Sequence, residues 1–441
     1  MHCECTDNKH LFFPNDSGRK SFERLPTKKE WARFRKYARR MRELDQHYTL
    51  PASLEVLSTI QLCTINESLL PNLKTLSLSE MEGSFIPYIP LFFSPRTTSI
   101  FLTLYEPDSS KALIASMVTA LSILCPDLQV ITLDFLLRDP MITAAVSGML
   151  LDSNQNTLQE LSLDSPLTEE AAKVICKLHN LRSLWMVIDR ETPLPSAQLP
   201  NLTELTITCD DEDDWPQLFC GATLGKLESV TFYPQSEQLG DFLGVFEGIA
   251  SSSSVQNTLL RFNLSASCSW NPNYFSLLPF TRMERLVIDF SCDGGCPSRV
   301  DDDVIIKLSR AMPKLTTLQL GGDPCRRSTT GVTAKGLVAL AHHCPALLIL
   351  RIHLQAASLS TPPASPRMIP NAQSSASQVG CALTNLSVGE TPIPEESALI
   401  VALTLLLIFP RINFINSFDE VWKKVEDAIR NSREIVNCSS K

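Results

Sequence analysis

Four residues near the start of the chain, His2, Cys3, Cys5 and His10, are of the types that ligate zinc. Structural zinc sites take their ligands as two well-spaced pairs, and this Cys-x-Cys has no second such pair to complete it. Cys292-Asp-Gly-Gly-Cys296 supplies only half a chelate. The acidic run Asp210, Asp211, Glu212, Asp213 and Asp214 could draw a cation, but it lacks the ligand spacing and flanking helices of an EF-hand. Asp301, Asp302 and Asp303 stand at the head of an apolar-periodic stretch, where carboxylates cap free N–H groups and complement the helix dipole. No nucleophile elbow, phosphate-binding loop, dinucleotide loop or zinc-protease helix occurs. The chain is therefore expected not to be an enzyme, and to need no cofactor and no metal.

The elements that would carry any site repeat along the chain. In residues 333–354, Leu337, Leu340, Ala341 and Cys344 fall at i, i+3, i+4 and i+7, the apolar stripe of a short helix. Cys344-Pro345 ends that helix, because proline cannot continue its hydrogen bonding. Leu347, Leu350 and Ile352 then read L-x-x-L-x-L, a short strand with alternating faces. The same signature recurs at Leu73-Leu76-Leu78, Leu128-Ile131-Leu133, Leu158-Leu161-Leu163, Leu181-Leu184-Met186 and Leu202-Leu205-Ile207. It continues at Leu227-Val230-Phe232, Leu259-Phe262-Leu264, Met283-Leu286-Ile288, Leu315-Leu318-Leu320 and Leu383-Leu386-Val388. Weaker copies sit at Ile100-Leu102 and Phe409-Ile412-Phe414. A spacing of roughly 20 to 36 residues brackets the leucine-rich-repeat period and runs longer where the helix is long. The fold class expected is α/β: a leucine-rich-repeat solenoid, or horseshoe, with irregular repeats, parallel strands on the concave face and helices on the convex face.

The domain reading follows. Residues 1–26 show no periodicity and are expected as an irregular tail. Residues 27–354 form the solenoid, opening with a helix over residues 28–43 that sets Trp31, Phe34, Ala38 and Met41 against a basic face. Residues 355–382, rich in Pro, Ser and Ala, read as a flexible insertion. Residues 383–416 carry the terminal repeats. There, residues 395–409 read as a buried helix, shorter than the ~20 apolar residues of a membrane span. Residues 417–441 supply a capping helix and tail. The net charge of −9 disfavours nucleic acid as a partner, and no membrane partner is expected. The N-terminus is polar and lacks a secretory signal. The fourteen cysteines accordingly read as reduced, small hydrophobes, several of them at helix ends (Cys125, Cys176, Cys344). An intracellular location, cytoplasmic or nuclear, is expected. The sequons at Asn201, Asn263 and Asn385 fall on expected strands and are set aside.

Strand alternation turns the leucines inward and exposes what lies between them. The exposed set is Glu160, Asp164, Trp185, Asp189, Glu204 and Asp210 early, then Tyr233, Arg261, Arg285, Asp289, Arg351 and His353. Aromatic and Arg side chains anchor protein interfaces. Trp185, Tyr233, Arg261, Arg285 and Arg351 are therefore the candidate partner-binding residues of the concave face. The bland alternative is an ordinary mixed-charge sheet face.

The units Ala339 to Ile352 (A-L-A-H-H-C-P-A-L-L-I-L-R-I), Cys125-Pro-Asp-Leu128 and Met312-Pro-Lys-Leu315 resemble the repeats of F-box and leucine-rich-repeat proteins, and the layout resembles their large mushroom-type fungal set. The resemblance implies the substrate-recognition part of a cullin-RING (SCF-type) ubiquitin ligase, which binds a protein substrate. It implies the ligase adaptor as a second partner if an F-box lies upstream. No F-box is visible, because Leu25-Pro26 is followed at once by the entry helix. The alternative is a stand-alone repeat scaffold with no ligase link. The chain also departs from many such repeats at the ninth position, which holds Met81, Leu136, Pro166, Asp189, Asp210, Asp323 and Gln355 rather than Asn or Cys. A buried side-chain ladder is expected to be missing.

Overall fold

Burial follows the leucine frame. Leu73, Leu76 and Leu78 are wholly buried, as are Leu227, Val230 and Phe232, and Met283, Leu286 and Ile288. The computed structural model describes residues 12–14, 20–22, 24–47, 53–64, 68–104, 111–135, 139–152, 154–166, 168–188, 198–209, 224–234, 249–250, 252–267, 274–291, 300–321, 331–359, 381–389, 391–417 and 419–439. His2, Cys3, Cys5, His10, the 210–214 acidic run, Cys292, Cys296, Asp189 and most of the expected insertion lie outside these residues. Contacts divide the chain into two compact units, Met1–Leu202 and Thr203–Lys441, within the stretch expected as one array.

In the first unit, β1 (Phe12–Pro14) and β2 (Lys20–Phe22) pair antiparallel, where the sequence shows no periodicity. Then come β3 (Glu43–His47), β4 (Thr75–Met81), β5 (Ser99–Leu104), β6 (Val130–Phe135), β7 (Glu160–Pro166) and β8 (Ser183–Ile188). Each pairs in parallel with the next. Helices or 3-10 turns intervene, as at Lys111–Leu124, which buries Ile114, Met117, Val118 and Leu121. The second unit repeats the plan with β9 (Glu204–Cys209), β10 (Ser229–Pro234), β11 (Arg261–Ser267), β12 (Arg285–Ser291), β13 (Thr317–Leu320), β14 (Ile349–Ile352), β15 (Asn385–Gly389) and β16 (Phe414–Ser417). These strands also pair in parallel, each with its successor. Parallel strands joined through helices, on a periodic leucine core, make each unit a leucine-rich-repeat α/β solenoid. No helix among the described residues is long and apolar enough to cross a membrane.

Three interactions hold neighbouring repeats in register. First, one carbonyl in each turn accepts two consecutive N–H groups from the next repeat: Gln129 N and Val130 N both donate to Thr98 O, at 2.8 and 3.0 Å. Second, the side chain just before the repeat's first leucine reaches the previous turn. Asn72 Nδ2 donates to Arg39 O (2.7 Å), Asn180 Nδ2 to Asn156 O (2.7 Å), Asn201 Nδ2 to His179 O (2.8 Å), and Arg282 Nη1 to Asn257 O (3.0 Å). A side-chain ladder therefore exists at the turn; of the ninth-position residues, Leu136, Asp189, Asp210 and Asp323 lie outside the described residues. Third, Cys344 Sγ donates to Ser309 O and Met312 O, and Cys381 Sγ to Cys344 O and Leu347 O.

Several elements differ from the sequence reading. The weak copy ahead of β5 has Ser94 and Thr97 at its anchor positions, both wholly buried. Ser94 Oγ donates to Pro71 O and Thr97 Oγ1 to Leu73 O, so hydrogen bonds replace apolar anchors. The last copy is displaced by three residues: Leu386 pairs with Ile415, while Phe414 is 51% exposed. Phe409-Pro410 occupies the helix-ending place of Cys344-Pro345, so Ile412 is the first anchor and not the second. The apolar helix Ala398–Ile408 buries Ala398, Val401, Ala402 and Leu405 but leaves Leu399, Leu403 and Leu407 exposed, so only one face is core. Ala356–Leu359, within the expected insertion, forms a short helix with Leu359 buried.

The acidic residues at 301–303 act as caps. Asp301 Oδ1 accepts from Val304 N at 3.0 Å, within its own helix Asp302–Ala311. Asp302 serves the next helix, Ala334–His343, accepting from Thr333 N (2.9 Å), Gly336 N (3.1 Å) and Thr333 Oγ1 (2.5 Å). A Cβ at Gly336 would lie 2.6 Å from Asp302 Oδ1, so the close approach requires glycine there.

The helix Glu420–Ser439 packs on Ala398–Ile408 and β16, burying Trp422, Val425 and Ile429. Trp422 Nε1 donates to Thr391 O at 2.6 Å, and Glu426 Oε2 accepts from Ile415 N on the last described strand. Trp422→Ala should therefore lower stability by about 3–5 kcal/mol, as expected for a buried aromatic cavity. Leu407→Ala, at a 71% exposed position, should leave the melting temperature nearly unchanged. Thermal denaturation of the pair checks both.

The entry helix Lys28–Ala38 begins with a capping box. Thr27 Oγ1 accepts from Glu30 N (3.3 Å), and Thr27 N donates to Glu30 Oε2 (2.8 Å). Arg24 adds a bidentate pair to the Glu30 carboxylate at 3.0 and 2.7 Å. Arg24's hydrogen bonds first, then those of Thr27, bring the Glu30 pKa from 4.5 down to about 2. A depressed carboxylate stabilises the fold above its unfolded pKa and loses that contribution as pH falls through the folded one. The melting-temperature gap between wild type and Glu30→Gln should thus be constant above about pH 5 and shrink as pH drops from 4.5 towards 2. A gap that widens in acid would remove the Arg24–Glu30 clamp from the account.

Candidate partner-binding face of the sheet

The strands of the second unit turn one set of side chains to the core and the other to an open face. Register places Glu204, Ser229, Arg261, Arg285 and Thr317 in one row across β9 to β13. Two residues further along, Thr206, Thr231, Asn263, Val287, Gln319 and Arg351 form a second row. Neighbouring strands lie about 4.8 Å apart, so Arg261 and Arg285 stand side by side.

The rows are tied together. Arg261 Nη2 reaches across the strand carrying small Ser229 to Glu204 Oε1, at 3.2 Å. Arg285 Nε donates to Asn263 Oδ1 (3.3 Å), and Asn263 Nδ2 donates to Thr231 Oγ1 (3.2 Å). Arg351 Nη1 lies 3.8 Å from Asp289 Oδ2. Both members of the Arg261–Glu204 pair are about half exposed, so water screens it and its worth lies in orienting Arg261. A third row holds Tyr233, 47% exposed, and Asp289. Tyr233 is four residues along β10 from the Arg261 row, about 13 Å at ~3.3 Å per residue. The structure therefore brings Arg261 and Arg285 together, sets Arg351 two strands from Arg285, and leaves Tyr233 at the other end of the strands.

Trp185 belongs to the first unit. It is 43% exposed on β8, while Leu184 beside it is buried. On the same sheet face, Ser162 is its neighbour in register, and Glu160 is exposed on β7. Asp164 has its pKa pushed up to about 6, chiefly by burial and then by a hydrogen bond and charge from Asp134 on β6. Asp164 therefore takes up its proton at a higher pH than an ordinary aspartate.

Two hydrogen-bonded participants on the second unit's face, Thr231 and Asn263, are absent from the sequence-derived set. Asn263 carried a signal: strand alternation turns it to the same side as Arg261. His353 lies between two glycines with left-handed backbone, Gly321 (φ +104°) and Gly389 (φ +59°). A Cβ on either glycine would come within 3.2 Å of the imidazole. Gly321→Ala and Gly389→Ala should each destabilise by about 1 kcal/mol or more, from backbone strain alone. Chemical denaturation checks this, with Gly148→Ala, whose Cβ would meet nothing within 4 Å, as control.

Nothing in this constellation pairs a nucleophile with a base. The buried thiols are inert: burial pushes Cys344 up to about 12 and Cys125 up to about 11. Among the described residues no three His, Cys, Asp or Glu side chains gather as a metal site. What the face offers is a pair of guanidinium groups in a hydrogen-bonded polar row.

No protein-family model and no curated protein sequence matches this chain. Among solved structures, a crystal structure of the Rad7 and Elc1 complex in yeast is similar, with 17% sequence identity over 63% of this chain and 77% of that chain, and a TM-score of 0.34. The repeat fold stands on the strand pairing and burial described above.

Proposed function

We propose that this chain is a protein-interaction module that holds its partner on the open sheet face of the second unit and carries no chemistry of its own. The observation supporting this is the tied row Glu204–Arg261 and Arg285–Asn263–Thr231. Arg side chains held by neighbours need less ordering on binding, and their planar forks match carboxylates. The partner is therefore a protein presenting acidic side chains to Arg261 and Arg285. Within this reading, the C-P-x-L turns of the repeats favour a substrate receptor of a cullin-type ubiquitin ligase.

Charge reversal tests the face. Arg261→Glu combined with Arg285→Glu should remove the bound partner in quantitative affinity capture, a loss of about 2 kcal/mol or more for central anchors. The melt should stay unchanged. An identical set of captured proteins with an intact melt would overturn the proposal. Stoichiometric co-purification with ligase adaptor and cullin would support the finer reading, and its failure leaves a stand-alone scaffold.

A further inference from the structure

The first unit carries a second, unrelated feature. A cavity of about 270 Å³ opens between the entry helix Lys28–Ala38 and the turn before β4. Trp31, Phe34 and Ala38 form one wall, and Leu69 and Pro71 the other. Arg35 and the exposed Arg39 also line it.

The walls are built before any ligand arrives. Asn72 Nδ2 and Arg42 Nη1 join the turn to the helix through Arg39 O and Asn72 O. Ser68 Oγ donates to Phe93 O, and the Thr27–Glu30–Arg24 clamp fixes the helix start.

Charge indicates the occupant. Residues 24–42 hold nine Lys or Arg against one Glu, in a chain whose net charge is −9. That lone Glu30 is occupied by Arg24. An acidic macromolecule is therefore drawn to this helix. The aromatic rings do not favour a nucleic acid. Trp31 is stacked on Phe34 at 5.1 Å, and Arg35 lies over the Trp31 ring at 5.8 Å. Arg40 lies over Tyr37 at 5.8 Å. Bases stacking on these rings would have to displace those groups, whereas an apolar side chain fits between the walls as they stand.

We propose that this pocket is a docking site for an acidic peptide segment of a partner protein. A bulky apolar side chain fills the space between Trp31, Phe34, Leu69 and Pro71. A flanking carboxylate meets Arg39. The site is on a different unit and of different character from the sheet face proposed above, so either can fail alone.

The test is fluorescence anisotropy on the full chain. The probe is a labelled synthetic peptide with one leucine flanked on both sides by aspartates. Replacing the leucine with glycine should weaken binding about tenfold, the worth of a buried aliphatic side chain. Arg39→Glu should weaken it about tenfold or more through like-charge repulsion. Trp31→Phe, which shrinks the apolar wall, should weaken it about fivefold. Unchanged melts of both variants show that the fold is intact. The proposal is overturned if the glycine peptide binds as tightly as the leucine peptide, or if neither variant changes affinity. It is also overturned if a single-stranded oligonucleotide of equal charge binds more tightly than the peptide, which would make the helix a nucleic-acid surface.

Discussion

The construction depends on one shared carbonyl per turn. Arg42 O takes Lys74 N and Thr75 N; Lys74 O takes Thr98 N and Ser99 N; Thr98 O, Gln129 O and Glu228 O continue the pattern. Leu260 O, Glu284 O, Thr316 O, Leu348 O and Thr384 O extend it through the second unit. A buried N–H must find an acceptor, and here two find the same one at the moment the chain enters a strand. That sets the strand start, and with it which residues face the core. A slip by one residue would put a whole leucine set into water. The path between one turn and the next is then free to vary, and it does. Some repeats cross by a long helix such as Lys111–Leu124, others by a 3-10 run such as Gly83–Phe92. Irregular repeat length and regular register coexist because the register is set at the turn.

The leucine frame was legible because burial is a side-chain property with a fixed period. Leu158, Leu161 and Leu163, or Leu315, Leu318 and Leu320, could only be inward, and they are. The shared carbonyl was not legible, since a backbone acceptor can belong to any residue: Arg42, Thr98, Gln129 and Leu260 all serve. The turn ladder of Asn72, Asn180 and Asn201 leaves a trace in the recurring Asn-Leu pair, one residue ahead of the leucine frame. Ser94 and Thr97 weaken the copy at Ile100-Leu102 because two hydroxyls, each bonded to a neighbouring carbonyl, stand where other repeats have apolar anchors. The last strand was misframed because Phe409, Ile412 and Phe414 mimic the spacing while Phe409 ends a helix.

The outward residues show a second limit. Alternation identified the face of Arg261, Arg285 and Tyr233, and all three are exposed. It did not give their neighbours, which depend on which residue of one strand stands opposite which residue of the next. The pairing of Ser229 with Arg261 puts Tyr233 far along the strand and brings in Asn263 and Thr231 instead.

Electrostatics then separates the two surfaces. On the second unit's sheet face, Arg261 meets Glu204 and Arg351 approaches Asp289, so positive charge is partly answered where it stands. A partner there must compete for guanidinium groups already oriented, which favours shape-matched carboxylates over diffuse charge. On the entry helix, Lys28, Lys29, Arg33, Lys36 and Arg39 have one acidic neighbour in the helix, Glu30, and Arg24 already holds it. The excess positive charge there is long-ranged and sensitive to salt, and in an acidic chain it attracts before any contact forms. On the proposed reading the first surface would discriminate and the second would capture, a division that follows from where each carboxylate falls along the strands and the helix.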